Sequence, residues 1–299
     1  SWKQNNRLNI KSLIKKDYEL IQNELMNFYY HLCESKESIN IILKANLDLK
    51  CWNLLTERIS LVIKYPIDIK YLGKNYQIIV QNLYSTILDD LRNCYDFFRT
   101  VYNITTKFID EENCPAFISN VLTFMGDVKK LKLILYKKFE KFQDNVILVG
   151  DEKKDANDAI GFFNYALNNN PRNSRVYSNM GYVYRTFLED HISSVYWFIR
   201  ALACIDNDLK KLKENLEIDF NNIRKRLQKI DYIVDSNIEN VSFIKYDIDY
   251  LPTLFYRIIG ILFMNRDIDE MEHLFRNFDI IIKRIFFWHL FYADSCYSA

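Results

Sequence analysis

The stretch that most restricts what this chain can fold into is residues 154–206, where the spacing of a few side chains carries the information. Ala159, Phe163, Ala166 and Pro171 stand at intervals of four, three and five. Tyr177, Met180, Gly181 and Tyr184 follow at three, one and three. A small residue lets two helices approach, an aromatic fills the groove, and a proline ends one helix before a bulky residue opens the next. Ser194, Phe198, Ala201 and Asp206 repeat the pattern 35 residues on from Ala159, Phe163, Ala166 and Pro171.

This is the grammar of a degenerate tetratricopeptide repeat, whose period is about 34 residues. It predicts an all-α array of paired helices. Composition agrees. With 6 glycines and 4 prolines in 299 residues, the chain has few points at which a helix must stop.

The charge balance limits the partners. Forty basic and 39 acidic residues give a net charge of +1, so phosphate or nucleic acid would have to be met by a local patch. Six scattered cysteines (33, 51, 94, 114, 204 and 296) with no C-x-x-C suggest reduced thiols packed as small hydrophobes in the cytoplasm, with the nucleus also open. The start carries no signal-peptide pattern. The apolar runs 254–264 and 278–292 are interrupted by Arg257 and by Lys283 and Arg284, and both are short of the roughly 20 residues of a membrane span. The expectation is a soluble protein.

Along the chain, three- and four-residue steps predict helices over 7–34, over 37–63 with a break near Asn46–Asp48, over 76–105, and over 116–145. The third buries a face of Tyr84, Leu88, Leu91, Tyr95 and Phe98; the fourth buries Val128, Leu131, Leu135, Phe139 and Phe142. Residues 66–75 are a connection, 106–115 a polar loop around Asp110–Asn113, and Asp151–Asp158 a short charged linker. A charged helix over 208–232 leads through a polar loop at 234–249 to two aromatic helices, 250–264 and 267–292. The expected division is 1–206 for the repeat-type domain and 207–299 for a helical hairpin extension packed on it.

Chemistry has few places to sit. His31, His191, His273 and His289 are far apart, Glu270, Glu272 and His273 do not form H-E-x-x-H, and no two glycines lie closer than eleven residues. The expectation is therefore no enzyme, no metal and no cofactor. Asp89 and Asp90 are adjacent and read as surface acids. The helix around 124–142 is the most informative surface. Lys130, Lys137 and Lys141 share one face, flanked by Lys129 and Lys132. They form either a solvated lysine face or a row that contacts phosphate. The many aromatics could stack on bases, yet they fall at core spacing.

Three blocks, in order, resemble the SMG proteins of nonsense-mediated mRNA decay and the related Ever Shorter Telomeres subunits of telomerase. They are Trp52-Asn53; Met125-Gly126-Asp127-Val128-Lys129-Lys130-Leu131-Lys132, similar to L-G-D-I-A-R-Y-R; and Asn170-Pro171-Arg172-Asn173-Ser174-Arg175-Val176-Tyr177 running to Tyr196-Trp197-Phe198-Ile199-Arg200-Ala201-Leu202-Ala203, similar to P-x-N-G-R-P-Y-N-Q-L-A…Y-Y-x-R-S-L-A. The resemblance spans about residues 50–205, and the third block is the most specific.

It implies a 14-3-3-like, tetratricopeptide-containing fold followed by a helical extension. It also implies a non-enzymatic adaptor that binds a phosphorylated RNA helicase of mRNA surveillance or dimerises with a paralogous 14-3-3-like protein. The alternative is a telomerase-associated subunit contacting RNA or protein. In phosphoserine-binding members a Lys on the Trp helix and the first Arg of L-G-D-I-A-R-Y-R clamp the phosphate. Carried over, the Arg becomes Lys130 and the Lys becomes Glu57, with Arg58 beside it. The following Tyr becomes Leu131, and the Asn of Y-N-Q becomes Ser178, with Asn179 next. Lys130 keeps the charge without the bidentate fork, whereas Glu57 would repel a phosphate. Either Arg58 serves one residue later, or the chain acts mainly as a partner subunit. The candidate phosphate ligands are Lys130, Arg58, Lys137, Arg175 and Asn179.

Overall fold

The computed structural model describes residues 26–27, 29–67, 75–109, 114–142, 150–204, 209–229, 244–264 and 267–291. All the regular structure among them is helical. The helices are α1 (Lys36–Lys44), α2 (Leu47–Leu55), α3 (Glu57–Lys64), α4 (Tyr76–Phe108), α5 (Pro115–Glu140), α6 (Glu152–Asn169), α7 (Ser174–Phe187), α8 (His191–Leu202), α9 (Leu209–Lys229), α10 (Ile244–Met264) and α11 (Met271–Phe291). By internal contacts the chain divides into Ser1–Val183 and Tyr184–Ala299. The expected division after residue 206 thus falls inside the second unit.

In the first unit, local chemistry sets the helix ends. Ser35 caps α1 by accepting from the Ser38 N–H at 3.2 Å. The expected break follows, with Asn46 in the left-handed region at φ 50°, a conformation that Asn tolerates better than most residues. A second break comes at Thr56, between α2 and α3. α3 stops at Tyr65, which is extended because it precedes Pro66. Pro115 opens α5 at its first turn, where the missing N–H costs nothing. Of the helix expected over 7–34, residues 26–27 and 29–32 are helical and 7–25 lie outside the described residues, as do Asp110–Asn113 of the expected polar loop.

Three expectations change. Asp151–Asp158 is not a linker. Asp151 caps α6 by accepting from the Lys154 N–H at 3.0 Å, and Glu152 and Asp155 lie in its first turn, where the helix dipole favours acids. The α4 stripe is rotated from the one expected. Val80, Leu83, Ile87, Cys94, Phe97 and Val101 are buried beside Tyr84, Leu91 and Phe98, whereas Leu88 and Tyr95 are half-buried. Val128, Leu135 and Phe139 on α5 and Phe142 just beyond it are buried as expected, but Leu133 is buried and Leu131 only half so.

The core of this unit is aromatic. Trp52 stacks on Phe124 with ring centroids 5.1 Å apart. Phe98 lies 4.9 Å from Phe124 and 5.9 Å from Trp52. One cluster thus ties α2, α4 and α5 together. Cys33, Cys51, Cys94 and Cys114 are buried thiols, none of them in a disulfide. Burial pushes Cys33 and Cys51 up to about 12 and Cys94 up as well, so they pack as hydrophobes rather than react. The small-and-aromatic spacing of 154–206 is spent on packing. Ala159, Phe163 and Ala166 are fully buried, as are Ser194, Phe198 and Ala201 one repeat later; Asp206 lies outside the described residues. The Tyr177 hydroxyl donates to the Pro171 carbonyl at 2.8 Å.

The second unit stacks α8 on α9, α9 on α10, and α10 on α11. Asp219, fully buried on α9, accepts from the Ser194 hydroxyl of α8 at 2.7 Å and lies 3.0 Å from His191 Nδ1. Leu254, Ile258 and Ile261 meet Leu274 and Ile281 between α10 and α11. The arginine that interrupts the apolar run 254–264 is itself buried. Arg257 donates to Asp267 at 2.8 Å and to Glu270 at 2.7 Å, so two carboxylates at the hairpin turn neutralise it. The polar loop expected over 234–249 is shorter, because α10 begins at Ile244 and passes through Pro252; residues 234–243 lie outside the described residues. No helix among the described residues is long and apolar enough to cross a membrane.

Gly126 lets α5 approach α6 closely. A Cβ built there would lie 2.5 Å from the Phe163 ring, and Phe163 is fully buried and cannot swing clear. Overpacking of this kind costs about 1–3 kcal/mol, against a helix-propensity gain of about 1 kcal/mol on replacing glycine. Gly126→Ala is therefore expected to lower the unfolding free energy by about 1 kcal/mol in urea titrations. In the double variant, Phe163→Leu should recover part of the loss relative to additivity.

Candidate anion-binding site

The site is built from the buried face of α5 and the start of α7. Asp127 is 2% exposed, and a carboxylate at that depth needs partners. It has three. Lys130, one turn on along α5, donates to Asp127 Oδ1 at 2.6 Å. Asn179 Nδ2 of α7 donates to the same oxygen at 2.7 Å. Arg175 of α7 donates to Oδ2. Lys130 Nζ also donates to Asn179 Oδ1 at 2.7 Å, which closes a ring of donors. Burial alone would raise the Asp127 pKa, but the charges of Lys130 and Arg175 and their hydrogen bonds outweigh it and hold the carboxyl below its usual range.

The aromatic core supports this ring from one side. The Arg175 guanidinium lies 5.0 Å from the Phe124 ring centroid and 5.9 Å from that of Trp52. A guanidinium held over aromatic faces and anchored on a carboxylate is pre-organised. The side chains of Arg175 and Lys130 are 38% and 16% exposed while that of Asp127 is 2%. Two cations therefore reach toward solvent over one buried anion, leaving a formal local excess of +1.

Three of the five candidates, Lys130, Arg175 and Asn179, thus meet at one place. Arg58 does not join them. It is buried on α3 and forms a two-pronged pair with Asp90 of α4, with Nε 2.6 Å from Oδ2 and Nη2 on Oδ1. Asp90 is correspondingly not the surface acid expected from its neighbour: it is buried, while Asp89 is exposed and pairs with Arg92. Glu57, one residue before Arg58, is exposed. Lys137 is exposed on α5, two turns beyond Lys130.

Three other lysines of α5 serve the scaffold. Lys129 donates to Asp155 at 3.1 Å and to Asp158 at 2.9 Å, and Lys132 donates to Asp155 at 2.6 Å. Burial tends to lower the Lys129 pKa, but its bonds to Asp158 and Asp155 raise it overall. Lys138 donates to the carbonyls of Ile63 and Tyr65 at 2.8 and 2.6 Å, satisfying the C-terminus of α3. Asp127 itself escaped the list of candidates read from sequence. Its signal was the aspartate three residues before Lys130, a spacing that puts acid and base on one helix face. Among the described residues, no three His, Cys, Asp or Glu side chains are grouped to hold a metal.

Asp90→Asn leaves the Arg58 guanidinium buried without its counter-charge and should cost about 3–5 kcal/mol in unfolding free energy. The exposed substitution Glu57→Ala should stay within about 0.5 kcal/mol of the parent. Asp127 should also produce acid sensitivity. Its folded pKa is depressed below the unfolded value of about 3.9, so its stabilisation is complete above that value and is lost as pH falls through the folded pKa. Unfolding titrations between pH 7 and pH 2 should show this loss, and Asp127→Asn should flatten that part of the curve.

Residues 159–289 match the family described as the Est1 DNA/RNA binding domain. No curated protein matches the chain. The matched segment begins inside α6, takes in Arg175 and Asn179, and runs through most of α11. It contains the third and most specific of the sequence blocks. The match supports, over residues 159–289, the resemblance to the SMG and Ever Shorter Telomeres family.

Proposed function

We propose that this chain is a non-enzymatic adaptor of nonsense-mediated mRNA decay, in which Lys130, Arg175 and Asn179 receive a phosphorylated side chain of a partner protein. The observation that carries this reading is the convergence of these three donors, from two helices, over the buried Asp127 carboxylate. Asp127 fixes where the donors point. A phosphoserine, carrying about −1.5 to −2 charges, would meet the ammonium of Lys130, the fork of Arg175 and the amide of Asn179 without having to order them. Such charge-assisted bonds are roughly twice as strong as neutral ones. The proposed partner is a phosphorylated RNA helicase of mRNA surveillance, and a paralogous 14-3-3-like chain is a second adaptor partner. A cytoplasmic protein that also enters the nucleus fits this role. Arg58, committed to Asp90, takes no part, and Lys137 would serve a flanking acidic residue.

The second reading is a telomerase-associated subunit contacting telomerase RNA or protein. It is favoured by the family description, a DNA/RNA binding domain, over residues 159–289. There the same donors would meet phosphodiesters.

Fluorescence anisotropy with a phosphoserine peptide, its unphosphorylated twin and a single-stranded RNA separates these readings. The adaptor role predicts micromolar binding of the phosphopeptide alone. Lys130→Glu should weaken it at least about tenfold, the effect of losing roughly 1.4 kcal/mol. Arg175→Lys, which keeps the charge and loses the fork, should weaken it less. Equal binding of both peptides, or of neither, overturns the phosphate role. Affinity for RNA that falls linearly on a log–log salt plot would support the second reading instead.

A further inference from the structure

The closing hairpin of the second unit carries an apolar face that faces solvent. On α10, Phe255 and Leu262 are seven residues apart and 43% and 66% exposed. On α11, Phe275, Ile282 and Phe286 follow at steps of seven and four and are 50%, 42% and 65% exposed. Residues at such steps share one side of a helix. Because α10 and α11 run antiparallel, their exposed stripes lie on the same side of the hairpin, and the Phe255 ring meets the ring of Phe278 at 6.1 Å. The α9 helix packs elsewhere on α10, with Phe220 against Gly260.

The five side chains offer on the order of 500 Å² of apolar surface, near the upper limit for the largest patch on a monomer. A stable interface needs about 800 Å² per partner, so a charged border would supply the remainder. That border is ordered. Glu272, Arg276, Asp279 and Lys283 form one row along α11, next to the apolar stripe, and are paired at i, i+4 within the chain. All four side chains are at least half exposed, and such pairs contribute little where they stand. The order is minus, plus, minus, plus. Reversed, it becomes plus, minus, plus, minus.

We propose that this face binds a second copy of the chain, α11 against α11 in antiparallel two-fold fashion. In that register Glu272 of one copy faces Lys283 of the other, and Arg276 faces Asp279. A two-fold contact requires a surface complementary to itself, and the alternating row meets that requirement while a row of like charges would not. The apolar stripe supplies the area, and the charges set direction and register.

Sedimentation equilibrium of the full chain tests this. The expected result is a reversible dimer at about 100 µM, a concentration at which a Kd of roughly 1 µM leaves little monomer, and a monomer for Phe275→Glu. Two charge variants are decisive. Glu272→Lys with Asp279→Lys makes the row all positive, and Arg276→Glu with Lys283→Glu makes it all negative. Each alone should be monomeric, and an equimolar mixture should form heterodimers. Circular dichroism and thermal melting confirm folding, since every changed side chain is exposed. A monomeric parent at about 100 µM overturns the proposal and assigns the face to a different partner. A dimer that survives Phe275→Glu, or charge variants that dimerise alone as well as they do mixed, overturns it equally. The outcome is independent of the phosphopeptide experiment, which concerns other residues.

Discussion

A carboxylate with almost no access to water organises the candidate site. Asp127 cannot stay ionised at that depth without donors, and the chain supplies Lys130 from the same helix and Arg175 and Asn179 from α7. Each of these has its position fixed by that requirement. The same contacts bring α7 onto α5, so removing the acid would disturb both the packing and the arrangement of donors. Two cations over one anion leave a surplus of positive charge at the outer edge, where a ligand can reach it. Structural necessity and potential function reside in the same three hydrogen bonds.

The neighbouring charges on α5 show how one lysine-rich helix is divided among several tasks. Lys129 and Lys132 hold the first turns of α6 through Asp155 and Asp158, and Lys138 finishes the carbonyls of α3. These residues look alike in sequence because each is a lysine at a helical step. Only the side chain opposite each one decides its role. Arg58 makes the same point more sharply. By position it was a candidate phosphate ligand, and by burial it belongs to Asp90. Taking the pair apart would cost more than a surface phosphate contact could return.

The second unit applies the same rule to its own cations and acids. Arg257 is neutralised by Asp267 and Glu270 at the hairpin turn, and Asp219 is satisfied by Ser194 and His191 between α8 and α9. With its core closed between α10 and α11, the hairpin still leaves aromatic residues facing water. A contiguous exposed apolar stripe of this kind has the physical signature of a surface made to be covered.

The helical array was written in the sequence. Steps of three and four, few glycines and prolines, and the Ala159–Phe163–Ala166 spacing define helices and their buried faces, because periodicity is a local property. The break at Asn46 and the end before Pro66 were readable for the same reason, and the resemblance over residues 159–289 was readable from its third block. Lys130, Arg175 and Asn179 could be named as candidates, but not the acid that gathers them. Spacing shows that Asp127 and Lys130 share a face; it does not show that α7 will bring two more donors 48 and 52 residues further along. The fates of Asp90, Arg58 and Asp155 also depended on partners distant in sequence. Burial is a property of the packed molecule, and it alone turned two apparent surface charges into a buried pair.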